Sequence, residues 1–473
     1  MSPSRIIAGV AGLVLCLTQA QAQPVLRPTI PGADEEAGAP PPPMRLRRGR
    51  GEFVTVSQAG PAAPALSLRG SVDSALETSP LVKALDATAR AADALVLKQK
   101  LDFLPTVTGS IGVTRRTLND GEADLPLRRS DTLWTQRTAG LSLQWPVFNG
   151  FQNYFGLQSA ISAANAAYLE AEATRGDVAF QTINAYLNFI AAERSVGLIR
   201  KNVEMLERLG RAVHARMLAG FASEADVFQV EADIAGLSQQ LESMKAERDK
   251  ARDTVSSMAG RPVQPRASFP ALDRLLAQGE EALALKALRH NPRLRAARYN
   301  TDAARHSSRA AIGKFLPQVN MVGNYQYDFS ERNPLEQDRN SWNLGVQLSV
   351  PLVRLSTMAE VRQSHEMATV AALRADEAVR LVALEIRNLW SDYQAGDARL
   401  RLARTRVAAQ RRVATSWEEQ YKLGLISLDN LLTRQRLLTS AEIDEQQAQM
   451  QRYALICRLL VSAGIFDPAM LSL

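Results

Sequence analysis

Two hydrophobic periods divide this chain. Val107, Gly109, Ile111 and Val113 alternate with polar neighbours, and so do Val319, Met321, Gly323, Tyr325, Tyr327 and Phe329. After a polar loop the alternation resumes, at Leu141, Leu143 and Trp145 in one place and at Trp342, Leu344, Val346, Leu348 and Val350 in the other. A period of two places one kind of side chain on one face, so these segments are expected strands with a single apolar face. Their length, on the order of 10 residues, suits a tilted strand crossing a bilayer. Pro105 and Pro317 precede each strand pair, and Pro146 and Pro351 are expected to end it.

Elsewhere the period is helical. Helices are expected over 71–101 and 285–314, leading into the strands. Proline-free stretches at 151–219 and 357–423 follow the strands, each on the order of 100 Å long as a helix. In the first, Val196, Ile199, Val203, Leu206, Gly210, Val213 and Met217 advance in steps of three and four. Leu400, Ala403, Val407, Ala414, Trp417 and Tyr421 repeat the pattern less purely in the second. Such a seam needs a partner helix. Turns at Gly220 and Gly424 supply one, because Ser223 and Ser427 can N-cap helices returning over 222–259 and 427–463. Each opening helix and returning helix together match the long helix in length. They are expected to stack end to end along it.

The chain is a duplication. Phe103-Leu104-Pro105 recurs as Phe315-Leu316-Pro317, and Ala75-Leu76…Ser79-Pro80 as Ala287-Leu288…Asn291-Pro292. Leu141 to Pro146 matches Val346 to Pro351, and Ala219-Gly220-Phe221-Ala222-Ser223 matches Leu423-Gly424-Leu425-Ile426-Ser427. The expected layout is one repeat over 68–270 and a second over 271–473, preceded by a signal peptide (1–22) and an arm (23–67).

Composition adds a compartment. Arg5, the apolar run Ile6 to Leu17 and Ala20-Gln21-Ala22 form a secretory signal pattern, with cleavage before Gln23. The mature chain keeps one cysteine, Cys457, expected as a small core residue. The arm is rich in proline, with Pro40 to Pro43 in a row, and in arginine, with Arg45, Arg47, Arg48 and Arg50; it is not expected to pack. Those arginines inflate the net charge of +7, and no basic-aromatic stripe indicates nucleic acid. No catalytic, metal or cofactor motif is present. His214, His290, His306 and His365 lack ligand spacing, and there is neither a phosphate-binding Gly-rich loop nor a nucleophile elbow.

Four strands are too few to close a membrane barrel, which needs about eight. Either the strands form a small soluble sheet or several chains share one barrel. Aromatic residues favour the barrel: Trp134 and Trp145 bracket one strand, and Phe148, Phe151, Tyr154 and Phe155 cluster past its end, where an interfacial girdle would sit. Strand counting alone permits a dimer, trimer or tetramer.

The duplicated unit, the proline-bounded strand pairs and the two Gly-containing turns resemble the TolC-like outer membrane factors over residues 68 to 465. The fold this implies is mainly α with membrane β: a trimeric 12-strand β-barrel in the outer membrane above a coiled-coil periplasmic tunnel. The resemblance also implies a periplasmic adaptor meeting the tips at Gly220, Phe221, Ser223, Gly424, Leu425 and Ser427, and an inner-membrane ABC or other pump reached through it. The implied cargo is a protein toxin of a type I secretion system, as for an adenylate cyclase toxin; the alternative is efflux of small molecules. A soluble periplasmic coiled-coil adaptor is the rival reading from another class.

Some members of that family carry two aspartates just past the second turn. Here the matching positions hold Asn430 and Thr433, with Asp429 adjacent and Asp226 as the first-copy counterpart. Asp226 and Asp429 also suit a helix N-terminus. A trivalent cation should therefore block conductance more weakly here than in an aspartate-ringed relative; equal block would contradict this.

Overall fold

The computed structural model describes residues 66–118, 132–265, 269–328 and 339–471. The expected signal peptide, nearly all of the arm, and Phe329 lie outside them. In the first repeat the elements are α1 (Leu68–Thr78), α2 (Pro80–Leu101), β1 (Thr106–Leu118), β2 (Thr132–Asn149), α3 (Gln152–Leu218) and α4 (Glu224–Ala259). The second repeat contributes α5 (Asp273–Leu276), α6 (Gly279–His290), α7 (Pro292–Ile312), β3 (Gln318–Asp328), β4 (Arg339–Ser349), α8 (Leu355–Lys422) and α9 (Leu428–Ser462).

Each expected opening helix is in fact two helices, broken at Ser79-Pro80 and Asn291-Pro292. Proline lacks the N–H that an unbroken helix needs and opens a new one well, so the preceding residue becomes an N-cap. Asn291 Oδ1 accepts from the Leu294 N–H at 3.1 Å, and Ser79 Oγ accepts from the Val82 N–H at 3.5 Å. These breaks are also where the returning helices end. Ser74 Oγ donates to the Ala259 carbonyl at 2.6 Å, and Asn291 Nδ2 donates to the Ser462 carbonyl at 2.8 Å. α2 and α4 therefore follow one another along α3, as α7 and α9 do along α8.

The core lies at these junctions. Val72, Ile183, Tyr186, Phe189, Ile190, Val255, Leu283, Ile386, Ile456 and Leu460 form one buried cluster drawn from both repeats. Burying each large aliphatic side chain contributes about 1.5–3 kcal/mol. Cys457 lies fully buried in the same cluster, and burial pushes its thiol up to about 12, as suits a core residue.

The four strands form one antiparallel sheet in the order β1-β2-β3-β4. Register sorts its faces. Val107 pairs with Leu143, Leu143 with Gly323, and Gly323 with Leu344; Leu141 pairs with Tyr325, and Tyr325 with Trp342. Directly paired residues share a face, so one face is apolar across the sheet. The other carries Thr108, Ser142, Asn324 and Asn343, which are paired in the same way. Pro146 does not end β2 as expected. The strand continues to Asn149 through a bulge between Pro146 and Phe148, a position that tolerates proline's missing donor.

The long helices α3 and α8 have 67 and 68 residues, yet differ in burial. α3 is gripped by α2, α4, α7 and α9 and buries twenty-one residues. α8, its counterpart, buries six and leaves Met358, Met367, Leu373, Leu381, Leu384 and Leu402 exposed.

At the sheet-to-helix corner, Gly150 (φ 64°) faces Gly313. A Cβ on Gly150 would stand 2.2 Å from the Gly313 carbonyl oxygen, and one on Gly313 would stand 2.3 Å from that of Gly150. Only glycine fits both. Gly150→Ala should lower stability by at least ~1–3 kcal/mol from backbone strain alone, read as a lowered thermal unfolding midpoint; an unchanged midpoint would contradict this contact.

Candidate functional site: the sheet face and the hairpin tips

Two surfaces stand out: the apolar face of the sheet and the ends of the helical hairpins. On the sheet, Val107, Ile111, Val113, Leu141, Trp342, Leu344, Val346 and Leu348 are exposed together. A contiguous apolar surface of this extent marks a partner or a membrane. Among the described residues, no helix is long and apolar enough to cross a membrane.

Several of the aromatic residues expected at an interfacial girdle contact one another. Trp145 Nε1 donates to the Phe103 carbonyl at 2.9 Å. Phe148 and Phe151 meet edge to face at 5.2 Å, as do Tyr154 and Phe155. Trp134 does not join it by register. It pairs with Arg116, in phase with Gln136, Thr138 and Ser142, whereas Trp145 falls in the opposite phase. The two tryptophans stand eleven positions apart, an odd step, so they do not mark one face of β2. The side chain of Trp134 lies outside the described residues.

At the tips, Gly220 (φ 81°) and Gly424 (φ 75°) take the left-handed conformation. The Gly220 N–H reaches the Met217 carbonyl at 2.9 Å and the Phe221 N–H reaches that of Arg216 at 2.8 Å. The Gly424 and Leu425 N–H groups repeat the pattern to Tyr421 and Gln420, at 3.0 and 2.9 Å. Both long helices thus end in the same six-residue closure. It projects Phe221 (84% exposed) and Leu425 (69% exposed) into solvent.

The returning helices start differently. Ser223 and Asp226 form a capping box: the Asp226 N–H donates to Ser223 Oγ at 3.1 Å, and the Ser223 N–H donates to Asp226 Oδ2 at 3.0 Å. The Asp226 carboxylate is thereby engaged by its own helix start. Ser427 caps no N–H with its side chain; Asn430 Nδ2 donates to its Oγ at 3.0 Å. Asp429, Asn430 and Thr433 are exposed.

Contacts that the sequence did not announce tie the two hairpins together. Arg216, in the last turn of α3, donates to the Lys422 carbonyl at 3.0 Å and to that of Tyr421 at 3.5 Å, and its guanidinium lies over the Tyr421 ring at 5.1 Å. Asp233 on α4 pairs with Arg436 on α9; that hydrogen bond comes first among the causes that raise the arginine's pKa. Asn202 Nδ2 donates to Thr439 Oγ1 at 2.8 Å. Below these bonds Leu206, Val213, Val227, Val230, Leu428 and Leu432 form a second core. No group of metal-ligating side chains occurs among the described residues.

Asp233 is 13% exposed at its side chain, and its Oδ2 has no hydrogen-bond partner among the described residues. Arg436→Gln removes the countercharge of a largely buried carboxylate already short of partners, which leaves that charge uncompensated. Spin labels at positions 221 and 425 should then show a longer and broader distance distribution; an unchanged distribution would contradict the tie.

The family model described as "Outer membrane efflux protein" matches this chain twice, over residues 71–261 and 283–464. The chain is similar to Outer membrane efflux protein BepC of Brucella suis biovar 1, at 24% identity over 82% of this chain and 83% of that one. It is similar to Outer membrane protein TolC of Vibrio cholerae, at 23% identity over 82% and 89%. The solved outer-membrane channel OprN shares its fold, with a TM-score of 0.73, 22% identity, and coverage of 84% of this chain and 90% of that one. The rival reading as a soluble adaptor falls with these matches. The chain belongs to the outer membrane efflux protein family of TolC-like channels, which are not enzymes and which sit in the outer membrane with a helical tunnel in the periplasm.

Proposed function

We propose that three copies of this chain close a 12-strand barrel and a common tunnel, forming the exit duct of a tripartite export system. The observation that carries this is the contrast between α3 and α8: equal elements of a duplicated unit, one packed against helices of both repeats and the other left with an apolar edge. A second copy, presenting α2 and α4, would supply α8 with what α7 and α9 supply to α3. The free edges of β1 and β4 would pair in the same step.

In this reading Gly220, Phe221, Ser223, Gly424, Leu425 and Ser427 face a periplasmic adaptor, and Asp226, Asp429, Asn430 and Thr433 lie near the aperture. An inner-membrane pump, ABC or other, supplies the energy through that adaptor. The lipid of the outer membrane covers the apolar face. Toxin secretion and small-molecule efflux differ in pump and adaptor more than in duct. The family description and BepC's name, both of efflux, support small-molecule cargo.

Native mass spectrometry of the detergent-purified protein should give a complex of three chains; a monomer or a soluble periplasmic species would overturn the proposal. Deleting the gene should abolish toxin secretion under the first cargo reading, or raise susceptibility to toxic small molecules under the second. A deletion that changes neither would contradict export.

A further inference from the structure

We infer that the corner where α3 and α7 leave the sheet binds the headgroup of an anionic phospholipid in the periplasm-facing leaflet, through Arg305 and Arg309. The inference rests on the outer-membrane seating of the sheet. It starts from a shortfall in the apolar band. From Trp342 to Val350 the band runs ~26 Å along the strand, which a ~40° tilt reduces to about 20 Å of height, against ~25 Å in outer-membrane barrels. Residues just below the strands are placed to add to that height.

A ladder of contacts continues downward from the lipid face. Phe148 is paired with Val319, in phase with the apolar face, and touches Phe151. Phe151 is 54% exposed and Tyr154 50% exposed, so they extend the apolar surface onto the first turn of α3. Tyr154 touches Phe155, the His306 ring stacks on Phe155 at 6.4 Å and 19°, and the Arg309 guanidinium lies over Phe155 at 5.9 Å. Arg305 and Arg309 share one face of α7 with the exposed Ile312, at a helical spacing of four and three. Arg305 therefore sits ~10 Å below Ile312. The headgroup layer is about 5–8 Å thick on each side of a bilayer, so Arg309, ~5 Å below Ile312, falls within it and Arg305 reaches its lower edge with a long side chain.

A second copy of the chain does not fit as the occupant. α3 already has α2 and α7 at its sides, and α7 already has α3 and α8, yet these residues stay exposed. The groups present also suit a phosphodiester. Arg309 has no carboxylate partner among the described residues, and its stacked guanidinium leaves in-plane N–H donors free. Arg305 has only the weak pair with Asp302 on its own helix, at 3.6 Å. His306 Nδ1 is buried without a hydrogen-bond partner. The pair belongs to the second repeat alone: the alignment of Phe103 with Phe315 sets Asp93 and Leu97 opposite Arg305 and Arg309.

The test uses the purified full-length channel in nanodiscs of phosphatidylethanolamine, titrated with a fluorescent phosphatidylglycerol. Wild type should prefer phosphatidylglycerol, and R305Q/R309Q should bind it roughly 25-fold more weakly, at about fivefold per cation near an anionic surface. Inorganic phosphate should not displace the lipid; displacement would mean an anion site without lipid recognition and would overturn the proposal. Equal binding by wild type and the double variant would overturn it too. If the double variant fails to assemble, R309Q and F155L, which removes the ring beneath the guanidinium, each decide the matter in the same assay. A wild-type chain that does not enter nanodiscs at all would instead refute the membrane seating.

Discussion

An open antiparallel sheet cannot end inside lipid. Each unpaired backbone N–H or C=O in hydrocarbon costs several kcal/mol, and this chain brings two whole strand edges, β1 and β4, to its own boundary. Much of the structure can be understood from that constraint. The apolar face of the sheet excludes water, the polar face requires it, and only ring closure satisfies both. The duplication is the simplest route to such a ring, because each copy supplies the same two strands and the same helical staves. A fourfold-stranded protomer is then a segment whose missing neighbours are further copies of itself.

The helical half obeys the same logic with different forces. Hydrogen bonds there are satisfied within each helix, so the edges of the wall are apolar stripes and not open ladders. α3 has found its neighbours inside the chain and is sheathed in alanines and large aliphatics; α8 has not, and shows leucine and methionine along its outer edge. At the tips the wall is held by polar ties, Arg216 to α8 and Asp233 to Arg436, over a small core. Few in number and resting on a small core, these ties hold less than the core at the helix junctions. A partner that contacts separated tips better than joined ones can shift the balance between them.

Most of this architecture was legible in the sequence because its periods are long and its punctuation is strong. The strand phases and the long helices appear where alternation placed them, apart from the end of β2, which runs past Pro146 to Asn149. The proline at position 80 was read as a marker of duplication when it was also a break, and the same holds at 292; the N-capping Ser79 and Asn291 were the available signal. Trp134 and Trp145 bracket β2, but strand parity places them on opposite faces. Arg216, Asp233 and Arg436 had no local signal at all, since α4 and α9 are brought together only by folding.

The central claim is that both sheet edges are paired in the working molecule. Hydrogen exchange on the lipid-reconstituted protein tests it residue by residue. Ring closure predicts that the amides of β1 and β4 are protected as strongly as those of β2 and β3. Fast exchange along β1 and β4, with slow exchange confined to the two inner strands, would contradict it.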